Sequence, residues 1–143
     1  MSTPQTTTLA ELFGDPIHVT TRTDLLESGD LIDVTELATE GGFRVPVAMT
    51  RAAWTDAVAW TDLDEARKPQ GTGQDETGRL WDVLTMARNA AARNAATSRV
   101  TFEVLRVPAE GRGVRARLTR LVLHIGPGDT TAPVITLLTP GED

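Results

Sequence analysis

The chain has 143 residues, 40% hydrophobic and 24% charged, with a formal net charge of −6, which is the composition of a soluble globular domain. It contains no cysteine, which excludes disulfides, thiolate catalysis and thiolate-ligated zinc. No apolar run nears the roughly 18 residues of a membrane span and no basic-then-apolar leader opens the chain, so it is expected in the cytoplasm, away from membranes.

Residues 1–10 are polar and threonine-rich and read as a flexible tail; residues 11–143 read as one globular domain. Ile17 to Val19 suggests a short strand. Thr23 looks like the cap of a helical turn stopped by Gly29. Leu31 to Val34 is a short apolar run, followed by a cap at Thr35 and a turn closed by Gly41 and Gly42. Residues 43–49 alternate as a strand does, and Pro46 assigns that strand to a sheet edge or a bulge. Thr50 caps a second helix over about residues 51–63. A linker containing Pro69, Gly71 and Gly73 leads to the longest periodic stretch, residues 72–96. Its apolar positions, Leu80, Val83, Leu84, Ala87 and Ala90 among them, share one helical face. Thr72 and Asp75 have the spacing of a capping box at its start.

Beyond Ala96 the period becomes two. Val100, Phe102 and Val104 form the apolar face of a strand. Val114 to Ile125 forms another, whose phase slips near Thr119 and Arg120, through a bulge or through burial on both faces. Gly126 to Asp129 is a turn, and Val134 to Leu138 a third strand. The expected fold is α+β: a C-terminal three-stranded antiparallel meander packed on a long central helix, with an N-terminal edge strand and a second helix. Trp81 is expected at the seam between helix and meander.

Four groups of residues bear on chemistry. The glycine-bearing start of the long helix, with Arg79, has the elements of a phosphate cradle, but Asp75 and Glu76 put two negative charges in its first turn, so capping is the better reading. Asp62, Asp64 and Glu65 could meet a hard cation, yet Arg67 and Lys68 follow at once, as in a solvated acidic turn. Arg106, Arg115 and Arg117 suggest a basic contact face on the strand pair, able to track a nucleic-acid backbone, although aromatics for base stacking are scarce. Trp54, Trp60, Arg79, Trp81 and Asp82 form a candidate pocket or core. His18 and His124 have no helical partner at metal-ligand spacing, and no serine lies in a nucleophile elbow. No catalytic residue, cofactor site or metal site is therefore assigned. Residues 1–65 balance at −9 and residues 99–125 at +4, an acidic and a basic region in one fold. Lys68 is the single lysine beside thirteen arginines, a bias that GC-rich coding would produce.

Three stretches, FRVPVAMTRAAW at 43–54, GQDETGRLWDVL at 73–84 and GPGDTTAPVITLLTPGED at 126–143, together resemble an uncharacterised bacterial family. It is a domain of unknown function found on plasmids, phages and chromosomes. The likeness extends over most of residues 12–143. It implies no established activity, cofactor or catalytic residue; its occurrence on mobile elements implies roles in host interaction or plasmid maintenance. The expectation is a small accessory protein acting by contact with a host or mobile-element protein through its acidic N-terminal half. The alternatives are a nucleic-acid-binding module using the arginine face and, behind it, a small enzyme.

Overall fold

The computed structural model describes residues 19–69 and 71–142. In order these form α1 (Arg22–Ser28), β1 (Leu31–Asp33), α2 (Thr35–Glu40), β2 (Val47–Thr50), α3 (Arg51–Ala57), α4 (Asp62–Arg67), α5 (Glu76–Arg93), β3 (Arg99–Arg106), β4 (Arg117–Pro127) and β5 (Pro133–Leu138). The expected tail over residues 1–10, together with Ile17 and His18, lies outside the described residues; Val19 is described and is not in a strand.

The strands make one α+β sheet in the order β1-β2-β5-β4-β3. β3, β4 and β5 are antiparallel neighbours, as a meander requires. The sheet is nevertheless mixed, because β5 also pairs in parallel with β2, and β2 pairs antiparallel with β1. The expected N-terminal edge strand is therefore an interior one. Pro46 lies just ahead of β2, so the strand loses no donor to it, and the Pro46 carbonyl still accepts from the Ile135 N–H at 2.9 Å. The edges are β1 and β3.

Period-two alternation sorts the sheet into two faces. Val100, Phe102 and Val104 point into the core with Leu121, Leu123, Leu137 and Met49, beneath α2, α3 and α5. On the opposite face α1 lies against β1, and the Arg22 side chain reaches from it to Thr136 and the Ile135 carbonyl of β5. Over β3 and the first half of β4 that face is open, with Thr101, Glu103, Leu105, Leu118 and Arg120 exposed. Pairing of β3 with β4 runs unbroken from Arg99–His124 to Arg106–Arg117, so β4 has no bulge there. Its phase slip comes from burial on both faces at Leu121, Val122 and Leu123.

The long helix is shorter than its periodic sequence. α5 spans 18 residues and buries Leu80, Val83, Leu84, Ala87 and Ala90. Its N-cap is Asp75, which accepts from the Gly78 N–H at 2.6 Å. Thr72 takes no part in that cap and bonds to Glu65 instead. Trp81 is not at the seam. One step of about 100° from Leu80 turns it off the buried face, and it is 42% exposed.

The second helix divides in two. The Trp54 carbonyl accepts from both Val58 and Ala59 N–H, at 2.9 and 2.8 Å, which closes α3. Thr61 then restarts the helix as α4 through a reciprocal capping box with Asp64. The break tucks Trp60 into the interior. In α1 the cap is Thr21 and not Thr23, and Gly29, at φ +84°, ends the helix in the left-handed conformation that glycine tolerates. Thr35 opens α2 as its first residue and ties it to β2, its hydroxyl bonding both the N–H and the C=O of Val47.

Candidate functional site

Three side chains buried among helices and strands carry positive charge: Lys68, Arg79 and Arg106, each at most 6% exposed. No buried carboxylate matches them among the described residues. Their partners are backbone carbonyls. Arg79 Nε donates to Val58 O at 2.9 Å, and Nη1 to Val107 O at 3.0 Å and Gln74 Oε1 at 3.1 Å. Arg106 Nη1 reaches Ala57 O at 3.3 Å and Arg79 O at 3.1 Å, while Nη2 meets the exposed Asp82 carboxylate at 2.8 Å. Ala57 and Val58 end α3, where carbonyls lack helical partners and the helix dipole favours cations. Burial, and then the neighbouring Arg106 charge, lower the Arg79 pKa to about 10, which leaves it protonated at neutral pH.

Lys68 occupies a cage of carbonyls. Its Nζ donates to Pro108 O at 2.7 Å, Gly113 O at 2.6 Å, Gly111 O at 3.1 Å and Glu110 O at 3.4 Å. A compact ammonium with three donors suits such a cage, whereas a planar guanidinium fork does not, which gives the single lysine a structural reason. The Trp60 ring lies between the charges, 4.8 Å from the Arg79 guanidinium carbon and 5.6 Å from Lys68 Nζ.

Of the five residues read as a pocket or core, Trp60 and Arg79 are buried, Trp54 is half-buried, and Trp81 and Asp82 are exposed. Asp82 meets the others through Arg106. Arg79 Nη2 lacks a hydrogen-bond partner, and the buried Trp60 and Arg79 line no cavity among the described ones. The cluster is a strut joining α3, α5 and the end of β3.

The basic face is not one surface. Arg106 points inward, because it continues the buried parity of Val100, Phe102 and Val104, whereas Arg115 and Arg117 are exposed. Arg120 is exposed and pairs with Glu103 at 3.2 Å. The acids of α4 have local work. Asp64 caps Thr61 and pairs with Arg67 at 2.9 Å. Glu65 accepts from Thr72 N, Thr72 Oγ1 and Gly73 N at 2.7, 2.6 and 2.8 Å, fixing the linker ahead of α5. The Thr72 hydroxyl, and then the Gly73 and Thr72 amides, lower the Glu65 pKa to about 2. Among the described residues no three His, Asp or Glu side chains gather as a metal ion would require.

A cavity of about 670 Å³ opens on the α1 face of the sheet between Leu25, Leu31, Leu138, His124 and Arg22. Arg22 is anchored there, with Nη1 on Thr136 Oγ1 at 2.7 Å and Nη2 on Ile135 O at 2.8 Å. Asp129 holds the start of α1 through the Arg22 and Thr23 amides and the Thr23 hydroxyl, the last at 2.6 Å, and these bonds depress its pKa. The sequence reading placed Glu65 and Lys68 only in a solvated acidic turn and gave Asp129 no role beyond its turn. The lone lysine was the one signal that pointed to any of them.

A family model matches residues 11–143. The chain belongs to a family of unknown function, DUF6573. No curated protein and no solved structure matches it. DUF6573 membership assigns no residue a role, so the geometry must carry the functional reading.

Two predictions test this geometry. Lys68→Met should destabilise the fold by about 1.5–3 kcal/mol through loss of charge-assisted bonds to the backbone carbonyls of residues 108–113. Denaturant unfolding measures it, limited proteolysis should show new cleavage within residues 108–113, and Lys68→Arg should not restore resistance. The second prediction concerns pH. Because the folded Glu65 pKa is depressed to about 2, its stabilisation is present above the ordinary value of 4.5 and is lost as pH falls towards 2. Glu65→Gln should therefore flatten the decline of stability between pH 5 and pH 2, as followed by thermal melts across that range.

Proposed function

We propose that the chain is a small binding protein acting by protein–protein contact in the cytoplasm, its partner a host or mobile-element protein, as the likeness of its three stretches implies. The observation that carries this reading is the uncovered half of the sheet. Leu105 and Leu118 lie directly opposite each other on β3 and β4, 59% and 64% exposed, and share a depression of about 500 Å³ with Met86. Val114, four residues before Leu118, is 53% exposed. Glu103 and Arg120, opposed to each other, lie next along the same face in the register. An apolar centre with a charged rim is the anatomy of a protein interface.

The acidic N-terminal half gives weaker support. Asp24 and Asp64 accept from the N–H groups of Thr21 and Thr61, the caps of α1 and α4, and Asp33 accepts from the Thr35 N–H, so several of its charges already serve the fold. A second reading rests on Arg112, Arg115 and Arg117, exposed on and ahead of β4, which could follow a phosphate backbone. Of the set the sequence suggested, Arg106 is buried and leaves Arg115 and Arg117 exposed.

The two readings separate in one experiment. Under the first, tagged protein recovers a partner from host lysate, and Leu118→Glu lowers the recovery at least tenfold with stability changed by less than about 0.5 kcal/mol. Recovery of no partner, or of the same partner by Leu118→Glu, would count against it. Under the second, DNA or RNA binding falls steeply with salt and the slope shrinks in Arg115→Ala and Arg117→Ala.

A further inference from the structure

The cavity of about 670 Å³ lies where α1 stands off the sheet. α1 buries none of its residues; polar bonds hold it, from its first amides and the Thr23 hydroxyl to Asp129 and from Arg22 to β5. Leu25 on the helix and Leu31 and Leu138 on the sheet line the space between them. A volume of that size accommodates a small molecule.

Two groups able to meet a negative charge lie side by side in it. Arg22 Nη1 donates to Thr136 Oγ1, and Thr136 is directly opposed to His124 on β4, an arrangement that puts about 5 Å between Cβ atoms. The guanidinium is thus set beside the imidazole on one face of the sheet. Its acceptors, Thr136 and the Ile135 carbonyl, are neutral, and no carboxylate among the described residues forms an ion pair with it. Arg22 Nε has no hydrogen-bond partner among the described residues, nor has either ring nitrogen of His124. Burial lowers the Arg22 pKa against the charges of Asp129 and Asp33, so this cation is partly stripped of water. The acids on the wall are committed to the fold. Asp129 accepts the first amides of α1, and Glu142 accepts from the Thr50 and Thr139 hydroxyls and the Thr139 N–H. Arg99 also lines the wall and has an interaction of its own within the chain, which leaves Arg22 and His124 as the groups open to a ligand.

We propose that this cavity binds a small molecule with an apolar body and a single carboxylate, the carboxylate between Arg22 and His124 and the body against Leu25, Leu31 and Leu138. A carboxylate matches the guanidinium fork and gains charge-assisted bonds where water is partly excluded. A second negative charge on the ligand would be repelled by Asp129 and Glu142, which sets phosphate-bearing molecules aside. The site lies roughly 20 Å along β4 from Leu118, the strand rise between positions 118 and 124. It goes beyond the partner-binding reading, and either can fail without the other.

Sodium hexanoate, hexan-1-ol and sodium acetate separate the contributions of body and charge when titrated into the isotope-labelled full chain and followed by amide NMR. Hexanoate should shift the amides of Leu25, Leu31, His124 and Leu138 saturably, hexan-1-ol the same amides with about tenfold lower affinity, and acetate none of them. Arg22→Met should bring hexanoate down to the affinity of hexan-1-ol and leave hexan-1-ol unchanged. His124→Gln should weaken hexanoate about threefold. The absence of saturable shifts at these amides up to about 20 mM hexanoate would overturn the proposal, as would hexan-1-ol binding as tightly as hexanoate. Hexanoate shifts centred instead on Leu105 and Leu118 would also overturn it. Should Arg22→Met lose hexan-1-ol as well, α1 has moved and His124→Gln decides, because that side chain makes no hydrogen bond in the fold: unchanged hexanoate affinity there would overturn the proposal.

Discussion

Three cations are held inside this fold with carbonyl oxygens as their principal counter-groups, and much of the chain's arrangement answers to that constraint. A buried charge is tolerable only when its hydrogen bonds are met. Here α3 breaks at Val58, which turns the Ala57 and Val58 carbonyls towards Arg106 and Arg79. The 108–113 segment wraps its carbonyls around Lys68, and Trp60 lies between the two sets of charges. Helix ends and a loop that would otherwise need water are satisfied from within. In return the guanidinium groups fix α3, α5 and the end of β3 relative to one another.

That arrangement divides the molecule. One face of the sheet carries α2, α3 and α5 with the strut at its end, and the polar groups there are largely taken up by the fold. The other face carries α1 against β1, with Arg22 reaching β5, and is bare over β3 and the first half of β4. Leu105 and Leu118 are exposed there and have no comparable role in the packing. Contacts with other molecules are sought there because the interior chemistry already serves the structure.

How much of this was legible depends on whether the signal was local. Period-two alternation placed Val100, Phe102 and Val104 on a buried face, and the glycine and threonine punctuation bounded the short helices to within a few residues. The parallel β2–β5 pair could not be read, because residues 47–49 meet 135–137 across most of the chain and no local pattern records it. Pro46 misled for the same reason: a proline one residue before a strand looks like a proline within it. Arg106 was misassigned because an arginine continuing an apolar parity reads as the strand's exposed end, and only α3 and Asp82 make its burial tolerable. Trp81 was misplaced because aromatic size outweighed helical phase. Lys68 was conspicuous by composition, but the cage that explains it comes from residues about forty positions away.

The central claim is that the buried guanidinium groups position α3 and α5 as a unit, and hydrogen–deuterium exchange on Arg79→Met tests it most directly. Protection should fall at the amides that close α3, Val58 and Ala59, and in the first turn of α5, while β2 and β5 keep theirs. Protection unchanged at those amides, or lost evenly across the sheet, would contradict the account.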